Sequence, residues 1–440
     1  MRTPHRSPIG SLALALSTLA ALASSTFAGP LNPPAGAIAS SGKTLTDVEP
    51  RTAINATNTP SDANCIFRIT QPGSYYLTGN ITGLPGRSGI EIAADNVTVD
   101  LMGFTLQGVP GSLDGITIDA GYANAKVRNG TVNGFSQDGV DLAQVAGGKG
   151  GVIEDVAAAS NSGRGIVGNT GSLVRRCTAT ANGGGIEQLL PGKIESCVVN
   201  GGASSGIRTG AGVSVVGCEV SGVAGFGINA GENNVISDCV VSSCAVDGIA
   251  ANHGTMVRNS SARSCGSNGL HGINGVEFVN CTSRLNGLDG IVVEIGCRVI
   301  DCTSRENTQH GINASDSTLI SGCTVNANTG DGIRVTLRCS VLNNNCMTNG
   351  FGAGTGAGVR VTGSGNRLEG NHCVNADTGI EVTAASNVIM RNTCGGNTIN
   401  WAVQGGNTCF VIVNGGGPAI NGNSGGVAPT SSDPSANFTF

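Results

Sequence analysis

The chain has 440 residues, 71 of them Gly, with 24 Lys+Arg against 29 Asp+Glu and a net charge of −5. Glycine that does not recur every third residue excludes collagen. With 39% hydrophobic residues and little charge a core can be built, so bulk disorder is excluded, and the acidic balance argues against a nucleic-acid binder.

The N-terminus carries Arg2, His5 and Arg6, then an apolar stretch from Leu12 to Leu22, then small residues ending at Thr26-Phe27-Ala28. That order reads as a secretory signal peptide over residues 1–28. The apolar stretch is too short to cross a bilayer, and no later stretch reaches the ~18 apolar residues a transmembrane helix needs. The mature chain is therefore expected to be secreted or in the cell envelope, with no membrane span. Residues 29–65 are rich in Pro and show no helical or strand period. They are expected to cap the repeat that follows, because an open solenoid end exposes core and unpaired strand edges.

From Ile90 to Ile380 a Gly followed by a branched aliphatic residue recurs down the chain, and between Ile186 and Ile333 every step is 21 residues. A second aliphatic column runs in phase from Val174 to Ile389. Helical repeats need longer periods and helix-forming residues. Here Gly, Asn, Ser, Thr and Val dominate, which suit short strands and tight turns. The period predicts an all-β solenoid of about fifteen coils, roughly 21–26 residues each, over residues 66–413. Residues 414–440, opening Asn414-Gly415-Gly416-Gly417-Pro418, read as a Gly/Pro/Ser-rich tail. The Phe438-Thr439-Phe440 ending fits either an envelope docking signal or a packed end.

The Asp-Gly-Ile units at 247–249, 289–291 and 331–333, together with Asn96-Val97-Thr98-Val99-Asp100-Leu101, resemble the right-handed parallel β-helix proteins of the pectate-lyase-like superfamily. The Tyr75-Tyr76-Leu77 stretch and the Phe438-Thr439-Phe440 ending are similar to a group of exported bacterial β-helix proteins without assigned activity. The resemblance implies a single-stranded right-handed β-helix. It implies little about function, since one fold hosts many activities.

The sixteen Cys follow the repeat. Cys177, Cys197, Cys218, Cys239, Cys281, Cys302 and Cys323 share one column, in which Ser260 fills a gap and Asn344, Asn371 and Asn392 take over. Cys244 and Cys265 share a second with Asn286, Asn307 and Asn328, and Cys346, Cys373 and Cys394 form a third. Two readings stay open. In one these are buried thiols acting as small hydrophobes. In the other, stacked neighbours at ~4.8 Å are oxidised in pairs, although side-by-side side chains oppose the disulfide dihedral. No Cys-x-x-Cys pair exists, so no zinc cluster and no metal ligand set is assigned.

Chemistry is sought on two outward stripes. The residue before the repeat Gly is Asp247, Asn268, Asp289, His310 and Asp331 in consecutive coils. Asp289, His310 and Asp331 are the candidate catalytic residues, because His can act as general acid or base between carboxylates. Asp or Asn before Gly is also ordinary turn chemistry. Arg263, Arg284 and Arg305 are the candidate substrate-binding residues, since stacked guanidinium groups call for an anion such as a uronate polymer, which they can grip bidentately. Glu294, Asp301 and Glu306 lie nearby in sequence and could instead neutralise them. The paired Asp with Gly-His-Gly of polygalacturonases and the Asp-Pro-His-Asp of alginate epimerases are missing. The expected function is an exported component of the cell surface that contacts extracellular polysaccharide. The alternatives are a lyase, hydrolase or epimerase of an acidic polysaccharide, and an adhesin-like stalk that binds protein. No cofactor is called for, except calcium if the activity is that of a lyase.

Overall fold

In the computed structural model, the described residues are 49–143, 149–350, 352, 354–414, 420–422, 426–428 and 430–440. The expected signal peptide and most of the expected capping segment lie outside them. Pro50–Phe440 form one compact unit, and its regular structure is entirely β. No helix among the described residues is long and apolar enough to cross a membrane.

Most coils contribute three short parallel strands, one to each of three ladders; in two coils a single eight-residue strand, Lys126–Asn133 or Val152–Ala159, serves the second and third ladders together. The first ladder holds seventeen strands, from Cys65–Ile69 to Ile420–Gly422, close to the expected coil number. Its Cα register is the first aliphatic column: Ile228 pairs with Ile249, Ile249 with Leu270, Ile291 with Ile312 and Ile312 with Ile333. Phe67 and Trp401 extend it at either end, against Ile90 and Ile380. The second ladder stacks Val257, Phe278, Val299 and Ile320, as the second column predicts. The third stacks smaller residues, Ala262, Ser283, Ser304 and Val325. In a strand only alternate residues face one way. A three-residue strand such as Thr324–Asn326 therefore sends just its middle residue inward.

The glycine heading each first-ladder strand is there for close approach. A Cβ on Gly290 would lie 1.9 Å from the Ser304 hydroxyl, and one on Gly311 would lie 2.2 Å from Val325 Cγ1. Any larger residue would push the turn off the third ladder of the next coil.

The turns after the second and third ladders share one device: a residue in the left-handed region followed by a buried residue, most often Cys or Asn. Asp301 (φ 51°) precedes Cys302, and Glu306 (φ 58°) precedes Asn307. The buried Asn residues form ladders. Asn307 Nδ2 donates to Asn328 Oδ1 at 2.9 Å, while its own Oδ1 accepts from the backbone N–H and Nδ2 of Asn286 at 3.1 and 2.9 Å. The equivalent ladder at the other turn runs Asn344, Asn371, Asn392 and Asn437. Cys occupies the same slots by donating its thiol to the carbonyl two residues back, as Cys302 does to Ile300 at 3.2 Å.

All sixteen cysteines are buried free thiols, the first of the two readings. Burial and a neighbouring sulfur push several of these thiols up, as at Cys218, Cys281 and Cys346. The Cys197 thiol, for instance, is pushed up to about 12 mainly by its Cys177 neighbour.

The C-terminal segment does more than trail. Asn437–Thr439 pairs on one side with Thr393–Gly395 and on the other with Ile412–Asn414. Asn437 continues the Asn ladder, Trp401 Nε1 donates to Thr439 Oγ1 at 2.9 Å, and Phe440 stacks on His372 with ring centroids 5.7 Å apart. Composition alone concealed this, because the pairing residue is a single Asn in a Ser/Pro-rich run.

Two measurements check the fold. Thiol titration of the denatured, unreduced protein should find close to sixteen free thiols, and markedly fewer would mean columns oxidised in pairs. Asn307→Ala strands the Asn286 donors in a buried site, and should lower the unfolding free energy by roughly 2–4 kcal/mol, as two buried groups lose their partner. An exposed polar change such as Thr308→Ser should cost little in the same denaturant titration.

Candidate functional site

The three candidate catalytic residues do stack on consecutive coils, but not as free surface groups. Asp289 and Asp331 are buried, at 5% and 2% exposure. The Asp289 carboxylate accepts the His310 backbone N–H at 2.7 Å and the Asn313 amide at 2.9 Å. Asp331 accepts the Ala357 N–H at 2.8 Å and Arg360 Nε at 2.9 Å. His310 Nδ1 accepts the Asp331 N–H at 3.0 Å, and its Nε2 lies 3.4 Å from Arg334 Nη1, beside a shallow concavity of about 320 Å³ that Arg360 also lines. Each pre-Gly carboxylate thus ties one coil to the next. The outward orientation expected for Asp289 and Asp331 gives way to this bridging, because the backbone N–H one coil up lies within reach of a short Asp side chain.

The arginine stripe is in register. Arg263 pairs with Arg284 and Arg284 with Arg305 across neighbouring third-ladder strands. Arg263 is exposed and the other two are half-buried. Glu306 binds Arg284 at 2.8 Å. Among the described residues, Arg263 and Arg305 have no ion-pair partner, and Glu294 and Asp301 reach none of the three.

Other charged columns behave differently. On the second ladder, Asp100, Arg128, Glu154, Arg175 and Glu195 alternate in sign in register. On the first-ladder face, Arg164 binds Asp138 at 2.7 Å and also Glu187, and Arg208 binds Glu187 at 3.0 Å.

This last network lines the most voluminous concavity described, a cleft of about 730 Å³. Its floor is Gly183, Gly184 and Gly185, and its walls carry Arg164, Glu187, Arg208, Phe226 and Asn229. An adjoining concavity of about 480 Å³ shares Arg164 and Glu187 and is bounded by Val167, Leu189 and Leu190. Leu189 and Leu190 are 44% and 52% exposed. The turn that presents them is held by fully buried Gln188, whose Nε2 donates to the carbonyls of Asn169 and Leu190.

Sequence reasoning missed this cleft, yet the signal was present. Read upstream of Asp247, the pre-Gly column is Phe226, Ser205, Gly184, Arg164, Asp138 and Asp114. Two small residues between Arg164 and Phe226 open the face.

Another concavity, on the N-terminal coils, is acidic and includes Glu91, Asp114 and Asp119. The ligand atoms of Asp62, Cys65 and Glu91 lie within 4.8 Å of one another. Arg68 already occupies that position, bound to Asp62, Glu91 and Asp119. Burial pushes the Cys65 thiol up to about 12, so the set fits a guanidinium better than a metal ion.

A family model described as "Right handed beta helix region" matches residues 114–283. A comparison with curated proteins gives no match. Similar solved structures include the A-module of a mannuronan C-5 epimerase from Azotobacter vinelandii (15% identity, 74% of this chain and 87% of that one, TM-score 0.37). Another is the catalytic unit of an α-1,3-glucanase from Streptomyces thermodiastaticus (12%, 90% and 70%, 0.34). A third is the receptor-binding domain of the siphovirus 9NA tailspike (11%, 80% and 77%, 0.37). At these identities and scores nothing about activity rests on them.

Asp114 supplies a test of the buried pre-Gly column. Burial raises its carboxyl from the usual range to about 6. The folded chain therefore keeps a proton that the unfolded chain, with a pKa near 3.9, has lost. Between roughly pH 4 and 6 the native state binds more protons, so this group's contribution to stability falls as pH rises. Asp114→Asn keeps an oxygen for the Asp138 N–H that Asp114 accepts at 2.9 Å. Near pH 7 it should raise the unfolding free energy by about 1–3 kcal/mol, and near pH 4 by almost nothing.

The stacked parallel ladders, with the family match over residues 114–283, give the chain a right-handed parallel β-helix fold.

Proposed function

We propose that this β-helix protein is exported and binds an anionic extracellular polysaccharide along the Arg263, Arg284 and Arg305 stripe. One observation carries the reading. Like charges directly opposite one another in a ladder are destabilising; the second-ladder column from Asp100 to Glu195 alternates in sign, whereas three arginines stack here with Glu306 as the one ion-pair partner among the described residues. A polymer with carboxylates at regular intervals supplies the missing counter-charges, and a straight run of coils presents them at about 4.8 Å spacing.

Binding to an immobilised polyuronate should weaken steeply as salt is raised, since the contacts are exposed. Arg263→Ala, Arg284→Ala and Arg305→Ala should each weaken it about two- to fivefold, in line with exposed ion pairs, and the triple variant by about tenfold or more. Unchanged affinity in the triple variant would refute the assignment.

Turnover is a second reading, supported by the His310 ring, whose Nε2 stands beside Arg334 in a concavity that Arg360 also lines. It requires that a panel of acidic polysaccharides, assayed with and without calcium, yields a product that His310→Ala no longer forms. If no polysaccharide is bound or turned over, the protein-binding stalk becomes the reading to pursue.

A further inference from the structure

We infer that the cleft between Arg164 and Phe226 is a second and separate binding site, for a neutral oligosaccharide. The cleft follows the coil axis. Arg164, Gly184, Ser205 and Phe226 hold the same column position in four successive coils, so the two bulky ends are three coil steps apart, about 14 Å at ~4.8 Å per step. Its volume, about 730 Å³, falls within the range of small-ligand sites.

Charge selects the ligand class. Asp138, Arg164, Glu187 and Arg208 sum to zero and are paired with one another. Glu187 is 5% exposed and gripped from both sides. An anionic ligand would have to pull a guanidinium from its carboxylate, and a cationic ligand would have to pull a carboxylate from its guanidinium. A neutral ligand disturbs neither. The paired groups still offer edges: Arg208 keeps half of its side chain in solvent, and Asn229 and the Ser204 and Ser205 hydroxyls flank it. Such planar, fixed donors and acceptors suit neighbouring hydroxyls, while the partly exposed Phe226 ring offers apolar surface to the C–H face of a sugar ring. The glycine floor lets a flat ring lie close against the backbone.

The test is calorimetric titration of the full chain with neutral hexasaccharides of glucose in β-1,3, β-1,4 and α-1,4 linkage and of mannose in β-1,4 linkage, at low and high salt. At least one should bind with an affinity that salt leaves unchanged. Phe226→Ala should weaken it about tenfold or more, as loss of a central aromatic contact does. Ser205→Trp, which fills the cleft from its rim, should abolish it with the thermal transition retained. The triple Arg263, Arg284 and Arg305 alanine variant should bind the hexasaccharide as well as the parent, which separates this site from the stripe. Silence from all four probes would overturn the assignment, as would binding unaffected by both Phe226→Ala and Ser205→Trp.

Discussion

In-register stacking governs this molecule: every residue sits directly above its counterpart one coil away. Inside the β-helix that rule helps apolar residues, which pack like on like at 0% exposure in the Ile249 to Ile333 column. For polar groups it sets a strict condition, since a buried donor must be met by the same residue of the next coil. Asn satisfies it with one amide, accepting from below and donating above, as in the Asn286–Asn307–Asn328 run. Cys satisfies it by turning its thiol back on its own strand and presenting a small apolar sulfur to its neighbours. The two residue types therefore trade places in one column without disturbing the coil, and sixteen thiols reside in the core without forming a single bridge.

On the outside the same rule works against like charges. Alternation of sign resolves the conflict on the second ladder and around Glu187. The arginine stripe leaves it unresolved, and that distinguishes the stripe from a decorated surface. The cleft and the stripe are opposite outcomes of one constraint: charges closed among themselves leave a neutral concavity, while charges left open leave a demand for a polyanion.

Much of this was legible in the sequence. The 21-residue step, the Gly-Ile column and the Val174 to Ile389 column are the observed ladders residue for residue, because parallel stacking converts sequence period directly into contact. The pre-Gly column was legible as position but not as environment. Asp289 and Asp331 look outward by spacing, and only the geometry of the turn shows their carboxylates drawn onto backbone N–H groups one coil up. The cleft escaped because it is defined by what is missing: Gly184 and Ser205 are unremarkable letters until their column neighbours Arg164 and Phe226 stand on either side. Strand Asn437–Thr439 escaped because its partners lie far back in the chain, where no local period points.

The most direct test of the account is the stability of Arg263→Glu, measured by denaturant unfolding at low and at high salt. Glu at position 263 stands opposite Arg284, which keeps its Glu306 partner, and so gives this step of the stripe the alternation seen in the Asp100 to Glu195 column of the second ladder. The account predicts that the unfolding free energy rises by a few tenths to about 1 kcal/mol at low salt and that the gain shrinks at high salt. A loss of stability at low salt, or a gain that salt leaves untouched, would contradict it.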